Sequence, residues 1–171
     1  MKKYLNLVLV AGLLIAGTNV FAQNYKFGHI NTQELLSLMP EQDSARQILE
    51  TYTRELQDQL EAMQVELNNK YNDYINEQEN LTDLIKQTKE QELNDLQTRI
   101  QGFQNTAQQD VSRKEAELLN PIVEKARNAI QEVAKENGFT YIFDLAMGAV
   151  LYFSQDSQNI LPLVKKKLAI E

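Results

Sequence analysis

The chain has no cysteine, no tryptophan and a single histidine among its 171 residues. Without cysteine there is no disulfide, no thiolate zinc site and no thiol nucleophile. One histidine, His29, cannot build a metal cluster and leaves no histidine-based hydrolase triad to assemble. His29 alternates with Tyr25 and Phe27 on one strand face, so a structural role is expected. No glycine-rich phosphate loop is present, which removes the usual cradle for a nucleotide. Positive charge is also short: 17 basic residues stand against 24 acidic ones. A nucleic-acid partner is therefore not expected, because phosphates must be neutralised by Lys and Arg. These absences together predict a protein that is not an enzyme and uses no cofactor, nucleotide or metal.

What is present begins with a leader. Met1-Lys2-Lys3 is basic, Leu5 to Ile15 is almost wholly apolar, and Val20-Phe21-Ala22 offers small residues before Gln23. Those three parts predict a cleaved signal peptide over residues 1–22, and export. No cysteine follows it, which excludes a lipoprotein anchor. The chain after residue 22 carries 15 bases and 24 acids, a net −9.

Three regions follow. Residues 23–40 offer a strand at Tyr25 to Ile30 and a helical turn that Asn31 or Thr32 caps before Pro40. Residues 41–120 contain one glycine and no proline, with 17 acids and 8 bases, so the whole net charge lies there. Helix suits this composition. Leu49, Tyr52, Leu56, Leu60, Met63, Leu67, Tyr71 and Tyr74 step by threes and fours in an 11-residue repeat. Leu96, Ile100, Phe103, Ala107, Val111, Lys114 and Leu118 repeat the pattern. An 11-residue period predicts nearly straight helices that pair with a slight right-handed twist. The two stripes mirror each other about Leu81, where Thr82 can cap a second helix. The expectation is a long antiparallel helical-hairpin arm, a coiled coil with its tip near residues 79–83.

Residues 121–171 start as helix with Pro121 inside it and stop at Asn137-Gly138. Phe139 to Leu145 reads as a strand, Ala146 to Gly148 as a turn and Ala149 to Phe153 as a second strand, a β-hairpin. Asp144 reads as a turn or edge residue that caps the hairpin. Pro162 opens a last helix, and Lys165-Lys166-Lys167 suit its C-terminus. The strands are apolar on both faces and need cover on both. Residues 23–40 and 121–171 are few for a core without disulfides, so a β-rich body shared between chains is expected. The fold class is mostly α with a small β body.

This order of elements resembles the Skp/OmpH family of periplasmic chaperones. Phe27-Gly28-His29-Ile30-Asn31 is similar to its opening strand, Asn137 to Asp144 to the strand after the arm, and Val150-Leu151-Tyr152 with Ile160 to Leu168 to its closing strand and helix. The resemblance implies a homotrimer whose arms surround unfolded outer-membrane β-barrel proteins without ATP. Client contacts are expected from the apolar and aromatic residues near the arm tip, Tyr71, Tyr74, Ile75, Leu81, Leu84 and Ile85. The apolar strand residues Phe27, Ile30, Tyr141, Phe143, Leu151 and Phe153 are expected to form the oligomer core. The family's best-known members are basic; this arm is acidic, and no matching residues place a lipopolysaccharide site. The alternative reading is a coiled-coil spacer or adaptor between cell-envelope proteins.

Overall fold

The computed structural model describes residues 25–170, so the expected signal peptide lies outside the described residues. The chain opens with β1 (Phe27–Ile30), α1 (Thr32–Ser37) and α2 (Pro40–Glu77). A 3-10 turn at Gln78–Asn80 leads into α3 (Asp83–Glu136). β2 (Tyr141–Asp144), β3 (Gln158–Asn159) and α4 (Leu161–Leu168) close the chain. The molecule is mostly helical, with one small parallel sheet.

Local chemistry sets the helix ends. The Asn31 side chain accepts from Glu34 N at 3.1 Å and caps α1. Pro40 starts α2, where its missing N–H costs nothing. Thr82 Oγ1 accepts from Ile85 N at 3.5 Å, so α3 begins at the residue that the sequence marks. Helix α3 runs through Pro121 without interruption and ends at Asn137, with Gly138 at φ +68° beyond it. Glycine adopts that left-handed conformation without strain.

Helices α2 and α3 pack along their apolar stripes. Glu77 meets Lys89 at 3.6 Å, Lys70 meets Glu92 at 3.8 Å, Tyr74 Oη donates to Glu90, and Lys125 bonds Glu41. Residue numbers thus rise along one helix as they fall along the other. Leu49, Tyr52, Leu56, Leu60, Met63 and Leu67 are half-buried at the seam, and Leu96 and Ile100 are buried. The ion pairs lie at the surface and contribute little individually, at most about 1 kcal/mol each. Side-chain burial does most of the joining.

The sheet corrects the sequence reading. β2 forms where expected, but its partner is not Ala149–Phe153. It pairs in parallel with β1, with Phe27 opposite Tyr141 and Ile30 opposite Asp144. β1 also pairs in parallel with β3, which gives the order β2-β1-β3. Residues 149–153 form no strand. The physical reason is the route of the chain. The long helices carry it away from β1 and return it beside β1 in the same direction, and a parallel pair requires such a crossover. β3 is two polar residues long and carries no strand propensity that a sequence reading detects.

One side of the sheet is covered. Ile30, Leu35, Met39, Ile160 and Val164 pack with Ala126, Ala129 and Val133 of α3 in a core built within one chain. Lys167 Nζ reaches Glu136 at 2.7 Å and Glu132 at 2.9 Å, which ties α4 to α3. The hydrogen bonds from Lys167 to Glu136 and Glu132 hold its ammonium above the usual lysine range. A Cβ on Gly28 would stand 2.8 Å from Ile142 Cδ1 and 3.1 Å from Ile160 Cγ2, so a larger residue would make these side chains shift.

Candidate functional site

Strand alternation decides which side chains the fold leaves uncovered. Gly28 and Ile30 of β1 turn to the core, whereas Phe27 and His29 turn to the open face. Tyr141 and Phe143 of β2 stand beside Phe27. Ring centroids lie 6.2 Å apart for Phe27–Tyr141, Phe27–Phe143 and Tyr141–Phe143. Tyr25 extends the row at 6.4 Å from Phe27. The segment 149–153 arches over this face and leaves a groove of about 740 Å³ lined by Phe27, His29, Phe143, Leu151 and Phe153. Leu151 is 97% exposed and Tyr152 83% exposed. Soluble chains seldom leave contiguous aromatic and aliphatic side chains in water unless another surface covers them.

His29 has a structural place in this groove. Its Nδ1 lies 2.8 Å from Ser157 Oγ, and its ring stacks on Phe153 at 4.2 Å. The side chain is buried and has its hydrogen bond, as expected for a structural histidine. Among the described residues, no three His, Cys, Asp or Glu side chains converge as a metal site.

The residues expected in the oligomer core do not all share one surface. Phe27, Tyr141, Phe143, Leu151 and Phe153 are exposed on the open face. Ile30 is 1% exposed and belongs to the chain's own core. The strand period separates it from Phe27, since three residues apart is an odd step. Tyr25 and Tyr152 join the open face although neither was among the expected oligomer-core residues; the strand period had already set Tyr25 on the side of Phe27.

The second surface lies where α2 passes into α3. Tyr71, Ile75 and Ile85 are exposed, Leu84 is 74% exposed, and Leu81 is half-buried. Tyr74 differs from the rest: it is half-buried at the helix seam, and its hydroxyl donates to Glu90. That hydrogen bond holds the Tyr74 phenol above its usual range. Val65, also exposed, was missed because it falls off the apolar repeat.

Asp144 joins the two strands to α1. As expected it is a turn and edge residue, ending the edge strand β2 and accepting from Ala146 N in the turn that follows, but the hairpin it was expected to cap does not form. Its carboxylate accepts from Thr32 Oγ1 at 2.6 Å, Thr32 N at 3.1 Å and Ala146 N at 3.0 Å. Burial pushes its pKa up, but these hydrogen bonds prevail and hold it below the usual range. A folded pKa below the unfolded value of about 3.9 means stabilisation above that value. The contribution disappears as pH falls through the lower folded value. Asp144→Asn is therefore expected to lose about 1.5–3 kcal/mol at pH 7, typical of hydrogen bonds to a charged group. Denaturation curves of the two proteins should draw together from pH 4 downward. A gap that stays constant to pH 2 would contradict this role.

The family model described as Outer membrane protein (OmpH-like) matches residues 26–168. The crystal structure of an OmpH-like outer membrane chaperone from Caulobacter crescentus CB15 has a similar fold. The TM-score is 0.72 at 14% identity, over 84% of this chain and 83% of that one. No curated protein matches this chain.

Proposed function

Because this chain belongs to the OmpH-like family of outer membrane proteins, we propose that it is a periplasmic holdase chaperone that acts without ATP. In this reading α2 and the first part of α3 form an antiparallel arm. Three copies associate through the open aromatic face, three being the number that the family resemblance implies. Unfolded outer-membrane β-barrel proteins are held between the arms.

The observation that carries the reading is the exposure of Tyr71, Ile75, Leu84 and Ile85 around the turn between two long helices. A holdase needs many weak contacts, each easily broken, so that a client stays mobile and can be released. Scattered exposed apolar side chains on a rod supply such contacts. Each is worth about 1.5–3 kcal/mol if fully buried, and less if a client covers it in part. Tyr74 is a weaker candidate because its side chain is engaged within the helix pair.

The test is aggregation of a urea-unfolded β-barrel protein diluted into buffer. The protein is expected to keep it soluble at about one trimer per client. A variant carrying Ile75→Ser, Leu84→Ser and Ile85→Ser should need about tenfold more protein, equivalent to about 1.4 kcal/mol of lost binding. Failure of the unmodified protein at several-fold excess would reject the holdase reading. A spacer that joins folded partners would give that failure.

A further inference from the structure

The charge of the paired helices is not spread evenly. From Asp58 to Asp95 the chain carries ten acids and three bases, so seven of the nine net negative charges in residues 41–120 lie in this outer half. The three bases are Lys70, Lys86 and Lys89. Lys70 pairs with Glu92 and Lys89 with Glu77 across the two helices. On α2 the acids Asp58, Glu61, Glu66 and Asp73 are exposed and make no ion pair among the described residues. Glu79 and Asp83 continue the series around the turn. The same stretch exposes Val65, Tyr71, Ile75 and Leu84. Apolar side chains thus share this stretch with carboxylates, most of which pair with no base among the described residues.

Among the described residues no three carboxylates converge to hold a metal ion. The acids instead line a rod, and a line of like charges sets up an extended field. The complementary ligand is extended, cationic and partly apolar. We infer that the outer half of the helix pair receives stretches of non-native polypeptide that combine Lys or Arg with apolar side chains, and disfavours acidic ones. The inference rests on the holdase reading and names the clients which that reading leaves open. The physics has two parts. The field accelerates encounter with a cationic chain, and burial of Tyr71, Ile75 and Leu84 against its apolar residues slows departure.

The test uses one unfolded β-barrel protein in two forms, made cationic or anionic by surface Lys or Glu substitutions, with the full-length mature chaperone. The cationic form is expected to associate about tenfold faster or more at 20 mM salt, with the preference shrinking towards 500 mM as the charges are screened. Glu61→Lys, Glu66→Lys and Asp73→Lys together bring the net charge of this stretch close to zero and should largely abolish the preference, and circular dichroism checks that the helices remain. Equal protection of both forms at low salt, or better protection of the anionic form, overturns the inference and leaves the holdase reading standing. Protection of neither form rejects the holdase reading itself. A preference unaffected by salt also overturns the inference, since contacts other than charge would then choose the client.

Discussion

On the proposed association through the open aromatic face, Leu151→Glu combined with Tyr141→Glu is expected to leave the protein monomeric at micromolar concentration, where the unmodified protein has the mass of several chains. Helix content should not change. Leu151 is 97% exposed and Tyr141 is 61% exposed in the single chain. Neither belongs to the core around Ile30 and Leu35, so the chain's own packing survives their loss. Association would bury both in every copy. Burial of each large apolar side chain contributes about 1.5–3 kcal/mol. A carboxylate in its place must be desolvated without a partner, which costs several kcal/mol more. Two changes per copy therefore exceed about 6 kcal/mol, more than four orders of magnitude in the association constant. Light scattering reads the mass and circular dichroism reads the helices. A mass that does not fall would show that the open aromatic face is not where copies meet.

Ile30→Ala should act on stability instead. Ile30 lies next in the chain to His29, but the pleat turns its side chain to the opposite side of the sheet. It packs there with Leu35, Met39, Ile160 and Val164. Removal of a fully buried isoleucine to alanine costs about 2–5 kcal/mol, through lost transfer energy and the cavity left behind. Single domains are stable by about 5–15 kcal/mol, so this is a large share. The expected result is a clear fall in the urea midpoint with the mass in dilute buffer unchanged. The opposite pattern, an unchanged midpoint with a lower mass, would return Ile30 to the surface between copies. The two variants together separate the core within a chain from the face between chains.

Much of the architecture was legible before any coordinates. The helix pair rests on an 11-residue apolar repeat, and Thr82 and Asn137-Gly138 mark the two ends of α3 one residue either side of where it lies. These are local signals: a cap bonds a backbone N–H three residues away, and a stripe depends on the helical period alone. The sheet was legible only in part. Tyr141–Asp144 has strand chemistry and forms a strand. Ala149–Phe153 has the same chemistry and forms none in this chain, whereas the polar Gln158–Asn159 does. Among the tip residues the period misjudged one thing: it grouped Tyr71 with Tyr74, although Tyr71 is exposed and Tyr74 is engaged with Glu90.

The sequence by itself determined the two long helices, the turn between them and the acidic balance of that region. Each follows from composition or from spacing within a few residues. Only the tertiary structure decided that β1 lies between β2 and β3, that Asp144 holds Thr32, and that Ile30 and Phe27 face opposite sides. Strand pairing joins residues more than a hundred positions apart, and the chain between them sets their direction. Local propensity says that a segment can be a strand; it contains no information on which backbone will be waiting beside it.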